Sequence, residues 1–503
     1  MDWVDTLWVI SYLFVVLGLS GYGIHRYVMV YLFTKHAKDT PKPARNWETL
    51  PTVTVQLPIF NELHVVERLV QSVAELDYPK DRLHIQVLDD STDETRAICE
   101  EEVQKLVAAG YDAELIHRVD RTGFKAGALE NGMPAAKGEF IFILDADFVP
   151  PKGVLHDMIH YFTDDKVGLI QTRWGHINRE YSLLTRIQAM FLDGHLIVEQ
   201  TARSRSGRFI NFNGTAGMWR KSCIVEAGGW QHDTLTEDLD LSYRAQMKGW
   251  KFVFLKDVVT PAELPVDMNG FKNQQHRWAK GSVQTCKKLL KTVWKSDQPL
   301  IIKLEATAHL TSNFAYLLLI FLCFLIYPGA SPDGLEFGGY RFLVLDLPVF
   351  LIVVSVGAFY ICSQRAIYPK NWIKEILLLP CLLALGIGMS INNGKAVLEA
   401  LFNYETPFVR TPKYGIGKSR TQTWRLSGYS AMKSIGLVFE LILALYFTYL
   451  VMYAFANEIW SSLPFMILFM LGFWYVATGS VAQMLPGSWF QQDKDRGDSA
   501  AIA

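Results

Sequence analysis

Three carboxylates fall within five residues at Thr236-Glu237-Asp238-Leu239-Asp240, after an apolar, glycine-rich run and before an amphipathic segment. A carboxylate held at such a turn can take a proton from an attacking hydroxyl, the step an inverting sugar transfer requires. Asp238 is the candidate base, Glu237 a support at the same turn, and Asp240 a structural or solvated acid. Upstream, Asp145-Ala146-Asp147 follows a buried apolar run and offers hard oxygen ligands at i and i+2. That spacing suits Mg²⁺ or Mn²⁺ shared with a diphosphate. Asp89 and Asp90 close another apolar run, where acids can hydrogen-bond a nucleobase and ribose.

Between them, Gly123-Phe124-Lys125-Ala126-Gly127 combines small residues with a lysine able to reach phosphate, without the spacing of an ATP-binding P-loop. Asn211-Phe212-Asn213-Gly214-Thr215 precedes the acidic triplet. Gln274-Gln275-His276-Arg277-Trp278 follows it with an amide, a cation and a large aromatic face for a sugar ring. Read singly, each feature has an ordinary alternative: an N-cap turn, a solvated carboxylate, or a Trp-Arg belt at a membrane interface.

These residues need a scaffold. Thr52 to Leu57, His84 to Leu88 and Phe140 to Leu144 read as short strands, the last two running directly into acids, with a helical pattern from Leu63 to Leu76. Strands alternating with helices predict an α/β domain with a largely parallel sheet, its ligand at the carboxyl ends of the strands.

At 503 residues, half of them apolar, the chain is long enough for more than one unit. Its net charge of -1 gives no reason to expect nucleic acid. Apolar runs of spanning length lie at Leu7 to Ile24, Ala306 to Tyr327, Phe342 to Cys362, Ile435 to Phe455 and Leu463 to Ala482. The first has acids before it and bases after it, so it reads as an uncleaved helix entering from outside. The shorter run Ile376 to Ile391 lies between bases that place both flanking segments on the cytoplasmic side, which predicts an interfacial or re-entrant piece. From Gly270 to Lys303 the pattern is amphipathic and basic, with Lys272, Lys280, Lys287, Lys288, Lys291 and Lys295, as suits a helix on an anionic membrane face. The six cysteines lack paired spacing and read as reduced packing residues. The expected order is an N-terminal span (1–35), a linker (36–51), the α/β domain (52–269), interface helices (270–303), a C-terminal membrane region (304–485) with a cytoplasmic segment (392–433), and a short tail (486–503).

Taken in order, Asp89-Asp90, Asp145-Ala146-Asp147, Thr236-Glu237-Asp238 and Gln274-x-x-Arg277-Trp278, followed by spans, resemble the signature of the processive inverting glycosyltransferases of family 2. FKAGALENGM, LDADFVP, FNGTAGMWR and TEDLDLSYRAQMKGWKF are most similar to the cellulose-synthase-like A group of glucomannan and mannan synthases and its bacterial relatives. The resemblance implies a Rossmann-like GT-A domain inserted in a transmembrane helical bundle. It implies a nucleotide sugar, UDP-glucose or GDP-mannose, a growing glycan or lipid acceptor, and Mg²⁺ or Mn²⁺ on Asp145 and Asp147. Glu62, Asp89, Asp90, Lys125, Asp145, Gln274 and Arg277 would bind the donor. Asn213, Gly214, Thr215, Glu237 and Trp278 would meet the acceptor. The product would be an exported β-linked polysaccharide such as a β-1,4-glucan or mannan. The alternatives are a single-step transferase acting on a membrane lipid and a transferase-derived transport or scaffold protein. The membrane would be the plasma membrane in a bacterium and the Golgi in a eukaryote. Phe408-Val409-Arg410-Thr411-Pro412-Lys413 resembles the group's gating segment, with Arg410 where the pattern has Val.

Overall fold

The computed structural model describes residues 3–329, 347–406, 411, 413–415, 435–460 and 462–483. Its centre is a seven-stranded sheet in the order β3-β2-β1-β4-β6-β5-β7. The strands are β1 (Val53–Ile59), β2 (Leu83–Asp89), β3 (Asp112–His117), β4 (Phe140–Ile143), β5 (Val167–His176), β6 (Gly217–Arg220) and β7 (Lys251–Ala262). The expected strands are β1, β2 and β4, and the expected helix is Val66–Ala74. Only β6 runs antiparallel to its neighbours β4 and β5.

β4 carries apolar side chains on both faces because both faces are covered, whereas β1 turns Val53, Val55 and Leu57 to one side and the buried Thr54 and Gln56 to the other. On one side Val53, Val55 and Leu57 pack with Val66, Leu69 and Val73, Cys99 and Leu106, and Leu155 and Met158. On the other, Ile141 and Ile143 pack with Ala128, Leu129, Phe212, Trp219 and Leu241.

Strand direction gathers the chemistry at one edge. β1 and β2 end level, Ile59 beside Asp89, and β4 ends at Ile143. β6 enters where β4 leaves, Gly217 opposite Ile143, so its antiparallel course brings the Asn213–Thr215 loop to that same edge. β7 ends there as well and runs into Asp267, whose side chain caps the helix Met268–Lys295 by accepting from the Gly270 N–H at 2.7 Å.

Among the described residues five helices are long and apolar enough to cross a membrane: Trp3–Lys35, Leu300–Ile326, Leu347–Ile367, Ile435–Ala456 and Leu463–Ala482. They match the expected runs, except that 342–346 lie outside the described residues. The apolar run Ile376 to Ile391 falls within a helix pair, 372–388 and 390–401, bent by 41°. All six cysteines are free.

The basic face of Met268–Lys295 corrects the expectation of a helix lying on lipid headgroups. Four of its six lysines are used within the protein. Lys272 is buried 2.6 Å from Glu440 of the span Ile435–Ala456. Lys280 is buried against Glu399, the Tyr404 carbonyl and Thr406. Lys287 donates to the carbonyls of Ala400 and Leu401. Lys288 meets Asp233 and Asp240. The helix is a strut between sheet domain and membrane helices, and its lysines pair with the buried carboxylates of Glu440, Glu399 and Asp240.

Candidate active site

The strand ends and the strut enclose a cavity of about 210 Å³ lined by Glu62, Asp90, Lys125, Asp145, Asp147, Asn213, Gly214, Glu237, Asp238, Gln274, Arg277 and Trp278. Residues separated by more than 200 positions in sequence thus share one cavity. Two of the predicted residues stand behind it. Asp89 is fully buried; its carboxylate accepts from the Ser91 N–H at 3.0 Å and lies 2.7 Å from His117 Nδ1, which fixes the turn presenting Asp90. The buried Thr215 hydroxyl accepts from the Asp145 N–H at 2.8 Å and so sets the first of the paired acids.

Asp90 is held by a fork from Arg118, at 2.8 and 2.6 Å. Beside it the Arg121 guanidinium lies 3.2 Å from the centre of the Phe60 ring and 5.1 Å from that of Phe124. Phe124 holds a left-handed backbone (φ 49°), as does Asn61 (φ 52°) next to Phe60, so both rings are presented by conformations that side-chain-bearing residues seldom adopt.

Asp145 and Asp147 each face a lysine. Lys125 bridges Asp145 and the Gly214 carbonyl, the latter at 2.8 Å. Burial alone would lower the Lys125 ammonium pKa, but the Asp145 and Glu237 carboxylates outweigh it and the pKa is raised. Lys413 reaches Asp147 at 2.5 Å from a segment that also places the Tyr414 N–H on Glu263, at 3.0 Å. Burial would lower Lys413 too, and Asp147 raises it. Phe408 and Arg410 of that segment lie outside the described residues, whereas Thr411 is buried at the cavity. Asp145 and Asp147 supply hard oxygens in a place where positive charge is already accommodated, which fits a divalent cation. Among the described residues no three His, Cys, Asp or Glu side chains converge, so diphosphate oxygens would have to complete its coordination.

At the far wall the helix Glu237–Met247 begins. Asp238 Oδ1 accepts from the Leu239 N–H at 2.8 Å. Gly214 (φ 82°) stands against this carboxylate; a Cβ there would lie 3.0 Å from Asp238 Oδ2. Burial raises the Glu237 pKa. Burial also raises Asp238, and the neighbouring Glu237 pushes it further, to about 7. Asp240 turns away: it is fully buried, 2.7 Å from Arg244 and 2.9 Å from Lys288. The turn is pressed on the strut. Leu235 N–H donates to Gln284 at 2.9 Å, the Thr236 and Thr285 hydroxyls are 3.1 Å apart, and a Cβ on Gly281 would sit 2.9 Å from the Thr236 nitrogen. The same helix carries Gln274, Arg277 and Trp278.

Trp278 belongs to an aromatic wall that the sequence did not reveal. Its ring centre is 6.5 Å from that of Trp174, which meets Phe148 edge-on at 5.4 Å. Arg118, Arg121, Phe148 and Trp174 are not among the residues the sequence singled out. Only their closeness to apolar strand ends could have drawn attention to them.

This geometry has counterparts. A model of the family described as "Glycosyltransferase like family 2" matches residues 51–281. Glucomannan 4-beta-mannosyltransferase 1 of Cyamopsis tetragonoloba is 39 % identical over 55 % of this chain and 56 % of its own length. Glucomannan 4-beta-mannosyltransferase 2 of Arabidopsis thaliana is 34 % identical over 73 % of this chain and 68 % of its own. The chain spans about half the length of the first curated relatives it matches. Among solved structures, a mannosyltransferase from Pyrobaculum calidifontis, in complex with GDP-Man and Mn²⁺, overlays with a TM-score of 0.54 at 19 % identity. It covers 78 % of this chain and 99 % of that one, and so shares the GT-A fold. By these matches the chain belongs to the glycosyltransferase-like family 2.

Proposed function

We propose that the chain is a membrane-embedded inverting mannosyltransferase that extends a β-1,4-linked mannan or glucomannan from a GDP-activated sugar. The observation that carries this reading is the wall opposite the paired acids. There a carboxyl with its pKa pushed up to about 7 stands beside an aromatic sugar platform, within one cavity. The names of the relatives favour mannose over glucose.

In this reading Asp238 removes the proton from the acceptor hydroxyl. The oxygen attacks C1 of the donor sugar from the face opposite the diphosphate, the C1–O bond to phosphate breaks, and an α-linked donor yields a β-linked product. Asp145 and Asp147 would hold Mg²⁺ or Mn²⁺ against the donor diphosphate, where the cation neutralises charge on the leaving group. Lys125 and Arg277 face that group from the protein side. Asp90, Arg121 and Glu62 border the nucleoside end, and Trp278 with Trp174 supports the acceptor ring. The spans beside the cavity would carry the product across the membrane.

Purified chain in proteoliposomes, given GDP-mannose or UDP-glucose with Mn²⁺, tests this. A β-mannanase-sensitive polymer from GDP-mannose is expected. A single sugar that stays on lipid, or polymer from UDP-glucose alone, overturns it.

A further inference from the structure

Behind Asn213 lies a buried ionic network that the reaction as drawn does not use. Asn213 lines the cavity one residue before Gly214, the glycine against the Asp238 carboxylate. Three side chains converge on its Oδ1: Gln200 Nε2 at 3.0 Å, Asn211 Nδ2 at 2.8 Å and His195 Nε2 at 3.3 Å. Gln200 Nε2 also donates to the Asn211 carbonyl at 2.8 Å, which fixes Gln200 as the donor and Asn213 Oδ1 as the acceptor. The Asn213 Nδ2 donor is buried and has no partner among the described residues. A buried N–H without a partner is costly unless a ligand supplies the oxygen.

The clamp is anchored in the membrane helices. His195 Nδ1 lies 2.8 Å from Glu199 Oε2. Glu199 faces the fully buried Arg203 at 3.4 Å, and Arg203 Nε donates to Glu305 at 2.9 Å. Glu305, on the helix Leu300–Thr311, also meets His25 of the N-terminal span at 3.0 Å. His195 and Glu199 sit on a π-helical turn, Gly194–Glu199. Such turns are uncommon and recur at functional sites. Its first residue must be glycine-sized, because a Cβ there would lie 2.6 Å from Phe359 of the span Leu347–Ile367. Packing alone would be served as well by apolar side chains as by a buried arginine between two carboxylates.

We propose that Glu199 and Arg203, acting through His195, are positioning residues that lock the Asn213 amide as a hydrogen-bond donor to the acceptor sugar. It follows that the sheet, which holds the Asn213 N–H on Gln171 at 3.1 Å, shares the setting of the acceptor contact with the membrane helices. This rests on the reading of the cavity as a sugar-transfer site.

The test uses the full chain in detergent. Isothermal calorimetry with β-1,4-mannohexaose is run beside calorimetry with GDP. His195→Ala and Glu199→Gln should each weaken mannohexaose binding about tenfold, the scale of one misplaced hydrogen bond, with GDP affinity unchanged. Asn213→Ala should lose as much, and His195→Ala added to it should cost nothing more. In transfer assays the acceptor KM should rise with kcat at saturating acceptor preserved, and Arg203→Lys should keep most of the affinity that Arg203→Ala loses. Unchanged mannohexaose affinity in His195→Ala, additive losses in the double variant, or a wild-type chain that binds no oligosaccharide overturns the inference. A wild type that binds oligosaccharide yet transfers nothing sinks the sugar-transfer reading and leaves the Asn213 lock standing.

Discussion

The two walls of the cavity hold the same kind of group in opposite company. At the strand ends, Asp145 and Asp147 each look at a lysine, and Asp90 accepts a guanidinium fork. Glu237 and Asp238 stand side by side at a helix start, and burial raises both although Lys125 pulls each of them down. Carboxylates matched with cations are built to hold charge in place. Carboxylates matched with each other are built to take a proton. Sequence spacing shows acids in both places; only the fold shows which neighbours they keep.

The sharpest break in this contrast is Asp238→Asn. Removing a general base should lower transfer by about 10²- to 10⁴-fold while GDP binding, measured by calorimetry, stays unchanged. Substantial surviving turnover would remove Asp238 from that role. Gly281→Ala comes next. It inserts a methyl between the strut and Thr236, and overpacking of this kind should cost kcat roughly tenfold with donor KM unaffected. A wild-type rate would show that the turn has room to move.

The pH profile probes the crowded wall directly. A base works only when unprotonated, so kcat/KM should fall about tenfold per pH unit below about 7 and level off above it. The sign for stability is opposite. The folded Asp238 pKa stands above its ordinary 3.8, so the stability it contributes is full below that value and is lost as pH rises through about 7. Asp238→Asn should therefore melt higher than wild type at pH 8 and like it at pH 4. An acid limb near pH 4 would contradict the crowding.

Lys413→Met should have the smallest effect. With Asp147 released from its lysine, the Mn²⁺ concentration giving half-maximal transfer should drop roughly threefold. An unchanged or higher requirement would mean that the lysine and the cation do not compete.

Much of the scaffold was legible because continuous apolar runs announce it. FIFIL makes β4, and five apolar stretches make the five long helices. β5 to β7 were not. β6 has four residues, and β5 ends half-buried against the cavity, so neither carries a clean period of two. Glu237, Asp238 and the Gln-x-x-Arg-Trp motif, each a short local cluster in the sequence, line one cavity, while Asp240 turns away from it. What spacing cannot carry is partnership across the fold: Lys413 with Asp147, 266 residues apart, or Arg203 with Glu305, 102 apart. The lysines of the strut misled for the same reason. Their amphipathic pattern is real, but the polar face meets Glu399 and Glu440 instead of headgroups.

The strut ties lipid to chemistry. It is pinned to Glu440 in a span near one end and to the Thr236 turn farther along, with Arg277 and Trp278 between. Leaving-group clamp and sugar platform thus ride on one helix, whereas the base stands on a helix whose Leu241 packs with Ile141 and Ile143 of the sheet. A bilayer whose thickness tilts the span Ile435–Ala456 shifts Arg277 and Trp278 together, so the spacing between those two is insulated from the lipid. Their distance to the base and to the sheet edge bearing Asp145 is not. Turnover in bilayers of graded acyl-chain length therefore reads the gap between the two walls.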